Sequence, residues 1–93
     1  MRCDELETVR VIIAFYIIRK NGKKEMHDLD VPLNITVNDL IMGLNKAYRL
    51  GIDNDNIRNC YLKAEYPIAL LRGNKNLSEF NIMNGTQITY TEV

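Results

Sequence analysis

Alternation between apolar and polar positions predicts that the chain opens with a β-hairpin. Residues 8–19 are rich in Val, Ile, Phe and Tyr, the residue types that fit a pleated surface. Asn21-Gly22 follows, and an Asn-Gly step is a strong signal for a tight turn between two strands. The alternation resumes over residues 25–31, and Pro32 ends the second strand because proline cannot donate to a ladder.

The next segment changes to a helical period. Thr36 is placed as the N-cap, with its hydroxyl accepting from the N–H of Asp39. Gly51 is placed as the first residue beyond the helix end. Gly43, in the middle, weakens the helix by up to about 1 kcal/mol unless something packs closely against it. The predicted apolar stripe consists of Val37, Leu40, Ile41, Leu44 and Ala47 or Tyr48.

Strand patterns return in the second half. A polar loop at residues 53–59 precedes predicted strands at 60–66 and 68–71, which Pro67 separates. Asn76 and Glu79 have the spacing of a capping box around one helical turn, and residues 86–93 predict a last strand. The order β-β-α-β-β-turn-β indicates an α+β domain whose first and last strands are parallel neighbours. We expect residues 1–7 to be a short extension and residues 8–93 to be a single domain.

This order and spacing resemble ubiquitin over residues 9–91. The matching features are Thr36-Val37 at the helix start, Gly51-Ile52 after the helix, the segment 77–82 and the closing strand. The resemblance implies a ubiquitin-like β-grasp fold: a mixed five-stranded sheet, one main helix on one face, and a short 3-10 turn before the last strand.

Within the ubiquitin-like proteins, the segment 77–86, with Asn84-Gly85 before the last strand, resembles the ending of the YukD/EsaB family of small bacterial proteins. That resemblance implies a cytoplasmic accessory of the type VII (WXG-effector) secretion system. The implied partner is the cytosolic part of a membrane-bound secretion ATPase or an associated membrane subunit. Such a partner recruits the protein to the inner face of the membrane.

The alternative interpretation is a ubiquitin-like modifier or sulfur carrier. Those members of the fold need a flexible C-terminal Gly-Gly, whose carboxylate is activated. The sequence ends Tyr90-Thr91-Glu92-Val93. Unless a longer precursor exists, this ending disfavours the alternative.

Composition narrows the class of partner. Lys and Arg number 12 and so do Asp and Glu, which argues against non-specific nucleic-acid binding, since that needs a cationic surplus. The longest apolar run, residues 9–18, is shorter than the roughly 20 residues that span a bilayer, and acidic residues precede it. We therefore expect a cytoplasmic protein without direct membrane insertion.

A lone buried thiol is the expectation for Cys60, with a disulfide to Cys3 as the alternative.

The sequence offers little for catalysis or metal binding. His27 is the one histidine, and no paired acid and base accompany it. The run beginning at Asp53 lacks the Gly and Glu that a calcium-binding EF-hand loop needs. Arg72-Gly73-Asn74-Lys75 lacks P-loop spacing and is predicted to be a turn. We expect no catalytic residues, no metal site and no cofactor.

The first strand is the most suggestive feature for function. Its inner face should pack under the helix, yet its outer face is apolar as well: Ile12, Ala14, Tyr16 and Ile18. Either flanking strands and long side chains cover this stripe, or it is a docking surface for another protein or a homodimer face. The candidate protein-binding residues are Ile12, Tyr16, Ile18, Tyr61 and Lys63.

A basic cluster lies at the hairpin tip: Arg19, Lys20, Lys23 and Lys24. A solvated tip is the simpler interpretation. Contact with an acidic partner or anionic headgroups is the alternative.

Overall fold

The computed structural model describes residues 9–92, apart from the side chain of Asn54. The predicted extension at residues 1–7, both ends of the predicted domain and Cys3 lie outside this range. Within it the elements are β1 (Arg10–Ile18), β2 (Lys24–Pro32), α1 (Val37–Tyr48), a 3-10 turn (Asn54–Asn59), β3 (Leu62–Glu65), β4 (Ala69–Leu71), a second 3-10 turn (Leu77–Phe80) and β5 (Gln87–Thr91).

The strands form one mixed sheet in the order β2-β1-β5-β3-β4. β1 and β2 are antiparallel, and Gly22 takes the positive φ of 87° that the turn between them requires. β1 also pairs in parallel with β5, with Phe15 opposite Ile88. The predicted hairpin and the parallel pairing of the first and last strands are both confirmed.

Helix α1 covers one face of the sheet and closes the core. Its N-cap is confirmed: the N–H of Asp39 donates to the Thr36 hydroxyl at 3.1 Å. Leu40, Ile41 and Leu44 are buried, as the stripe predicted, whereas Ala47 is exposed. The helix packs on the buried side chains of the central strands, among them Ile13, Phe15, Ile17 and Ile88.

The end of α1 differs from the prediction. Arg49 is the C-cap in the left-handed conformation, with φ 53° and ψ 58°, so Gly51 is not the first residue beyond the helix. Leu50 follows the cap and is buried. Its burial requires the chain to turn towards the core before Gly51 is reached. The Asn45 side chain then bonds both backbone groups of Ile52, at 2.8 and 3.0 Å.

The connection from helix to sheet also departs from expectation. The predicted polar loop at 53–59 contains the 3-10 turn Asn54–Asn59, in which Ile57 is buried. A single apolar residue among polar ones gives a weak periodic signal, so the turn was missed. β3 is shorter than the predicted strand at 60–66, since Cys60, Tyr61 and Tyr66 lie outside the ladder.

One buried polar residue joins three parts of the sheet. Thr86 has a fully buried side chain; its hydroxyl donates to the Tyr66 carbonyl at 2.7 Å and accepts from the Met83 N–H at 3.0 Å. Its own carbonyl accepts from the Ala14 N–H at 3.0 Å. The turn before β5, the start of the β1–β5 pairing and the β3–β4 hairpin are therefore fixed to one another.

Candidate protein-interaction surface

The two sides of β1 have different environments. Val11, Ile13, Phe15 and Ile17 are buried under the helix, as predicted. On the opposite side Ile12 is 49% exposed, while Ala14, Tyr16 and Ile18 are partly buried. The Lys24 ammonium lies 5.0 Å from the centre of the Tyr16 ring. Part of the outer stripe is thus covered by a long side chain, and part is open.

Strand register places the outer residues in a row across all five strands, which we call the sheet face. Tyr16 lies opposite Met26 on β2 and Thr89 on β5. Lys63 on β3 lies opposite Thr89 and, on its other side, opposite Leu70 on β4. The row runs from an exposed methionine through a tyrosine, a threonine and a lysine to an exposed leucine. Tyrosine and methionine are enriched in protein interfaces, and a mixture of apolar and polar side chains is typical of non-obligate ones.

A cleft of about 300 Å³ opens on this surface where β3 and β5 separate. The ladder between them begins at Lys63 and Thr89, so the chain just before β3 diverges from the end of β5. The cleft is at the lower limit for small-molecule sites, and its size suits one side chain of a partner. Its lining residues are Asn59, Cys60, Tyr61, Lys63, Thr89, Tyr90 and Thr91.

The Cys60 and Tyr90 side chains in the cleft are suited to contact with a partner rather than to nucleophilic attack. Burial raises the pKa of the Cys60 thiol, and burial is also the main cause that raises the pKa of the Tyr90 phenol. Both groups are therefore neutral at pH 7, and a protonated thiol is a poor nucleophile. Among residues 9–92 there is also no cluster of His, Cys, Asp and Glu suited to a metal ion.

The structure brings together four of the five predicted site residues. Tyr16 and Ile18 lie beside β5 on one side, where Ile18 is opposite Thr91, and Tyr61 and Lys63 line the cleft on its other side. Ile12 lies on the same face but at the far end of β1. Its N–H donates there to the Asn84 side chain at 2.8 Å.

Two exposed members of the sheet face, Met26 and Leu70, were not among the predicted site residues. The alternation in β2 already put Met26 on the outer side, so this signal was present. Leu70 belongs to a continuous apolar run, residues 68–71, whose period does not tell which residues face outward.

Arg19 is not part of a solvated tip. Its guanidinium donates to Glu25 at 2.9 Å, to the Tyr48 carbonyl at 2.9 Å and to Glu92 at 3.5 Å. These bonds join the end of β1 to β2, to the C-terminal end of α1 and to the segment after β5. Lys20, Lys23 and Lys24 are exposed.

His27 has a packing role. It lies half-buried on the inner side of β2, with its ring centroid 4.5 Å from that of Tyr48. Its Nε2 is 3.5 Å from a carboxylate oxygen of Glu25.

In the described part of the chain, no helix is long and apolar enough to cross a membrane.

Comparison with known proteins bears on the fold. No model of a protein family and no curated protein matches the chain, so the YukD/EsaB resemblance stays a prediction. Among solved structures, the C-terminal ubiquitin-like domain of mouse tubulin-specific chaperone e is similar, with a TM-score of 0.64 and 13% identity over 94% of this chain and 92% of that one. A ubiquitin-like domain from tubulin-binding cofactor B gives 0.60 and 14%, over 91% and 93%.

The UBL domain of Plasmodium falciparum Dsk2 gives a TM-score of 0.57 and 15% identity over 91% of this chain and 100% of that one. At such identities the likeness concerns the backbone arrangement. Together with the observed sheet order and the single covering helix, it shows that the chain has the ubiquitin-like β-grasp fold.

Proposed function

We propose that this protein is a non-enzymatic, ubiquitin-like interaction module that docks on another protein through the sheet face. The observation that carries the proposal is the row from Met26 through Tyr16 and Lys63 to Leu70, with exposed apolar side chains at both ends. Tyrosine suits such a contact because its ring is apolar and its hydroxyl can bond to a partner or to water.

The partner that we propose follows from the resemblance to YukD/EsaB. It is the cytosolic part of a membrane-bound ATPase of a bacterial type VII secretion system, or a membrane subunit associated with it. The protein is then an accessory or regulatory component in the cytoplasm that its partner recruits to the membrane. A second copy of the chain on the same face is the competing occupant.

The test is a titration of the purified protein with the cytosolic domains of that ATPase, read by calorimetry. Replacing an aromatic residue at the centre of an interface by a charge costs about 2 kcal/mol or more, so Tyr16→Glu should weaken binding by at least about tenfold. Met42→Glu is the matched control, because Met42 is 51% exposed but lies on the helix.

Met42→Glu should keep the wild-type thermal unfolding midpoint to within a few degrees, since Met42 is 51% exposed. Tyr16→Glu should remain folded by circular dichroism, because the partly buried Tyr16 side chain is not part of the core. Equal affinity of Tyr16→Glu and wild type would remove the sheet face from the proposal. No binding by the wild type would remove the secretion ATPase as the partner. Concentration-dependent dimerisation that Tyr16→Glu abolishes would assign the face to a second copy.

A further inference from the structure

The β4 edge of the sheet is open and apolar. β4 is the last strand in the sheet order, and no strand within residues 9–92 pairs with its outer side. Alternate residues of an edge strand leave their N–H and C=O groups available to an added strand. Ile68 is 88% exposed and Leu70 is 49% exposed. The β4 edge therefore combines unpaired backbone groups with exposed apolar side chains.

The opposite edge of the sheet is protected. β2 alternates Met26 with charged neighbours on its outer face, Asp28 and Asp30 among them. Charged side chains and a terminal proline are common devices against strand addition, and Pro32 ends β2. At the β4 edge the corresponding outer positions are Ile68 and Leu70. Shortness is the main protection of that edge, since β4 has three residues.

The hairpin that leads into β4 is held in place. Tyr66 adopts φ 63°, a left-handed conformation that is unfavourable for a residue with a large side chain. The bond from the buried Thr86 hydroxyl to the Tyr66 carbonyl, at 2.7 Å, fixes this conformation. Tyr66 itself is 68% exposed. A hairpin ordered in advance loses less conformational entropy when it binds a partner.

Charges around the β4 edge select the partner. Residues 61–75 contain three cations, Lys63, Arg72 and Lys75, and one acid, Glu65. All four side chains are exposed, and none of the three cations makes a salt bridge with another residue in the range 9–92. Symmetric pairing of two β4 edges would bring two cation-rich patches together, since a two-fold axis places the same surface patch on both sides of the contact.

We propose that the β4 edge binds an extended, acidic and apolar peptide segment of another protein by strand addition. The backbone of β4 continues the ladder, Ile68 and Leu70 contact the apolar side chains, and Arg72 and Lys75 face the carboxylates. Leu70 also ends the row of the sheet face, but the sheet-face test uses Tyr16→Glu, whereas this one uses the β4 backbone and Arg72, so each proposal can fail without the other.

The experiment is an NMR titration of the ¹⁵N-labelled protein with a short blocked peptide of consecutive valines flanked by aspartates, so that both kinds of side chain reach the outer face. Amide shifts should concentrate in residues 68–72 and be absent from β2. A lysine–valine peptide should bind at least about tenfold more weakly, because electrostatic complementarity governs the choice of partner. An aspartate–valine peptide with methylated backbone nitrogens should bind as weakly, because it cannot continue a ladder.

Variants separate this edge from the rest of the surface. Leu70→Lys should weaken binding of the aspartate–valine peptide by at least about tenfold, whereas Met42→Lys, at a position of similar exposure on the helix (51%), should leave it unchanged. Arg72→Glu should reduce the preference for the acidic peptide, and Lys46→Glu on the helix should not.

Several results would overturn the proposal. These are no shifts in residues 68–72 with the acidic peptide, equal binding of the lysine peptide, or shifts confined to β1 and β2. Shifts in residues 68–72 that grow with protein concentration and without peptide would assign the edge to a second copy instead.

Discussion

At the scale of single residues, Thr86 shows how one hydroxyl can fix several segments. Its side chain is fully buried, yet it donates one hydrogen bond and accepts another. Burying a hydroxyl that makes both of its hydrogen bonds costs the folded state little free energy. Removing that hydroxyl leaves its two bonding partners unsatisfied, which is costly.

We therefore expect Thr86→Val to be destabilising although valine has nearly the same shape. The Tyr66 carbonyl and the Met83 N–H would lose their partner, at a cost of about 1–3 kcal/mol. Urea unfolding followed by circular dichroism measures this free energy.

Thr89→Val is the control, since Thr89 is a partly exposed threonine on the outer face of β5, the strand that follows Thr86; it should change stability by at most about 0.5 kcal/mol. Equal losses in the two variants would show that the hydroxyl of Thr86 has no special role.

Local spacing explains which residue roles the sequence revealed. Thr36 and Asp39 are three residues apart, as are Asn76 and Glu79, whose carboxylate accepts from the Asn76 N–H at 3.2 Å. Caps depend on such short spacings and were predicted. The hydroxyl of Thr86 bonds to a residue 20 positions away, and no local pattern indicates that contact.

At the scale of elements, helix α1 contains a glycine that lowers its stability. Gly43 is exposed in its middle, and a Cβ added there would meet nothing within 4 Å. No close packing explains the glycine, which leaves its entropic cost uncompensated.

Gly43→Ala should raise the free energy of unfolding by about 1 kcal/mol. Gly85→Ala adds the same methyl group in equally open space, but Gly85 has φ 89°. That variant should be destabilised, because alanine tolerates positive φ poorly. Thermal and urea unfolding of both variants would test this contrast; a gain in both would show that backbone conformation does not decide the effect.

The elements themselves were largely predictable, because their hydrophobic periods differ. The helix start and the strand faces followed from periods of 3.6 and 2. The helix end did not, since the cap at Arg49 depends on burying Leu50 in a core that the rest of the chain builds. The turn at Asn54–Asn59 was missed for a similar reason: tertiary burial of Ile57 stabilises it.

At the scale of the whole molecule, the hydrogen bonds that Arg19 donates to Glu25, the Tyr48 carbonyl and Glu92 connect β1 to β2, to α1 and to the segment after β5. The hydrogen bond from Arg19 is the main cause that holds the pKa of Glu25 below its ordinary value. A carboxylate with a lowered pKa in the folded state stabilises that state above its unfolded pKa, and the contribution is lost as the pH falls further.

Glu25→Gln should therefore be less stable than the wild type at pH 7, and the difference should shrink below about pH 4.3, where glutamate in the unfolded chain becomes protonated. Unfolding measured from pH 7 to pH 3 would show this convergence. Asp28→Asn, on the same strand and without a salt bridge within residues 9–92, is the control and should keep the wild-type stability at pH 7 to within about 0.5 kcal/mol. A gap between Glu25→Gln and wild type that stays constant with pH would contradict the assignment.

The candidate surface was partly predictable at this scale. The sequence showed that the outer face of β1 is apolar. The alternation of side chains along the third predicted strand placed Tyr61 and Lys63 on the same outer side of the sheet. The distances between these residues depend on strand order. β5 lies between β1 and β3, and it collects Tyr16, Ile18 and Lys63 around one strand while Ile12 remains apart.

The parallel pairing of β1 with β5 also has a consequence for biosynthesis. Ala14 pairs with Gln87, so the centre of the sheet joins two segments that lie far apart in the order of translation. At about 5–20 residues per second, the ribosome needs several seconds to make the intervening chain. Until β5 emerges from the exit tunnel, Phe15 and Ile17 have no parallel neighbour, and the nascent β1–β2 hairpin leaves their side chains open to a chaperone.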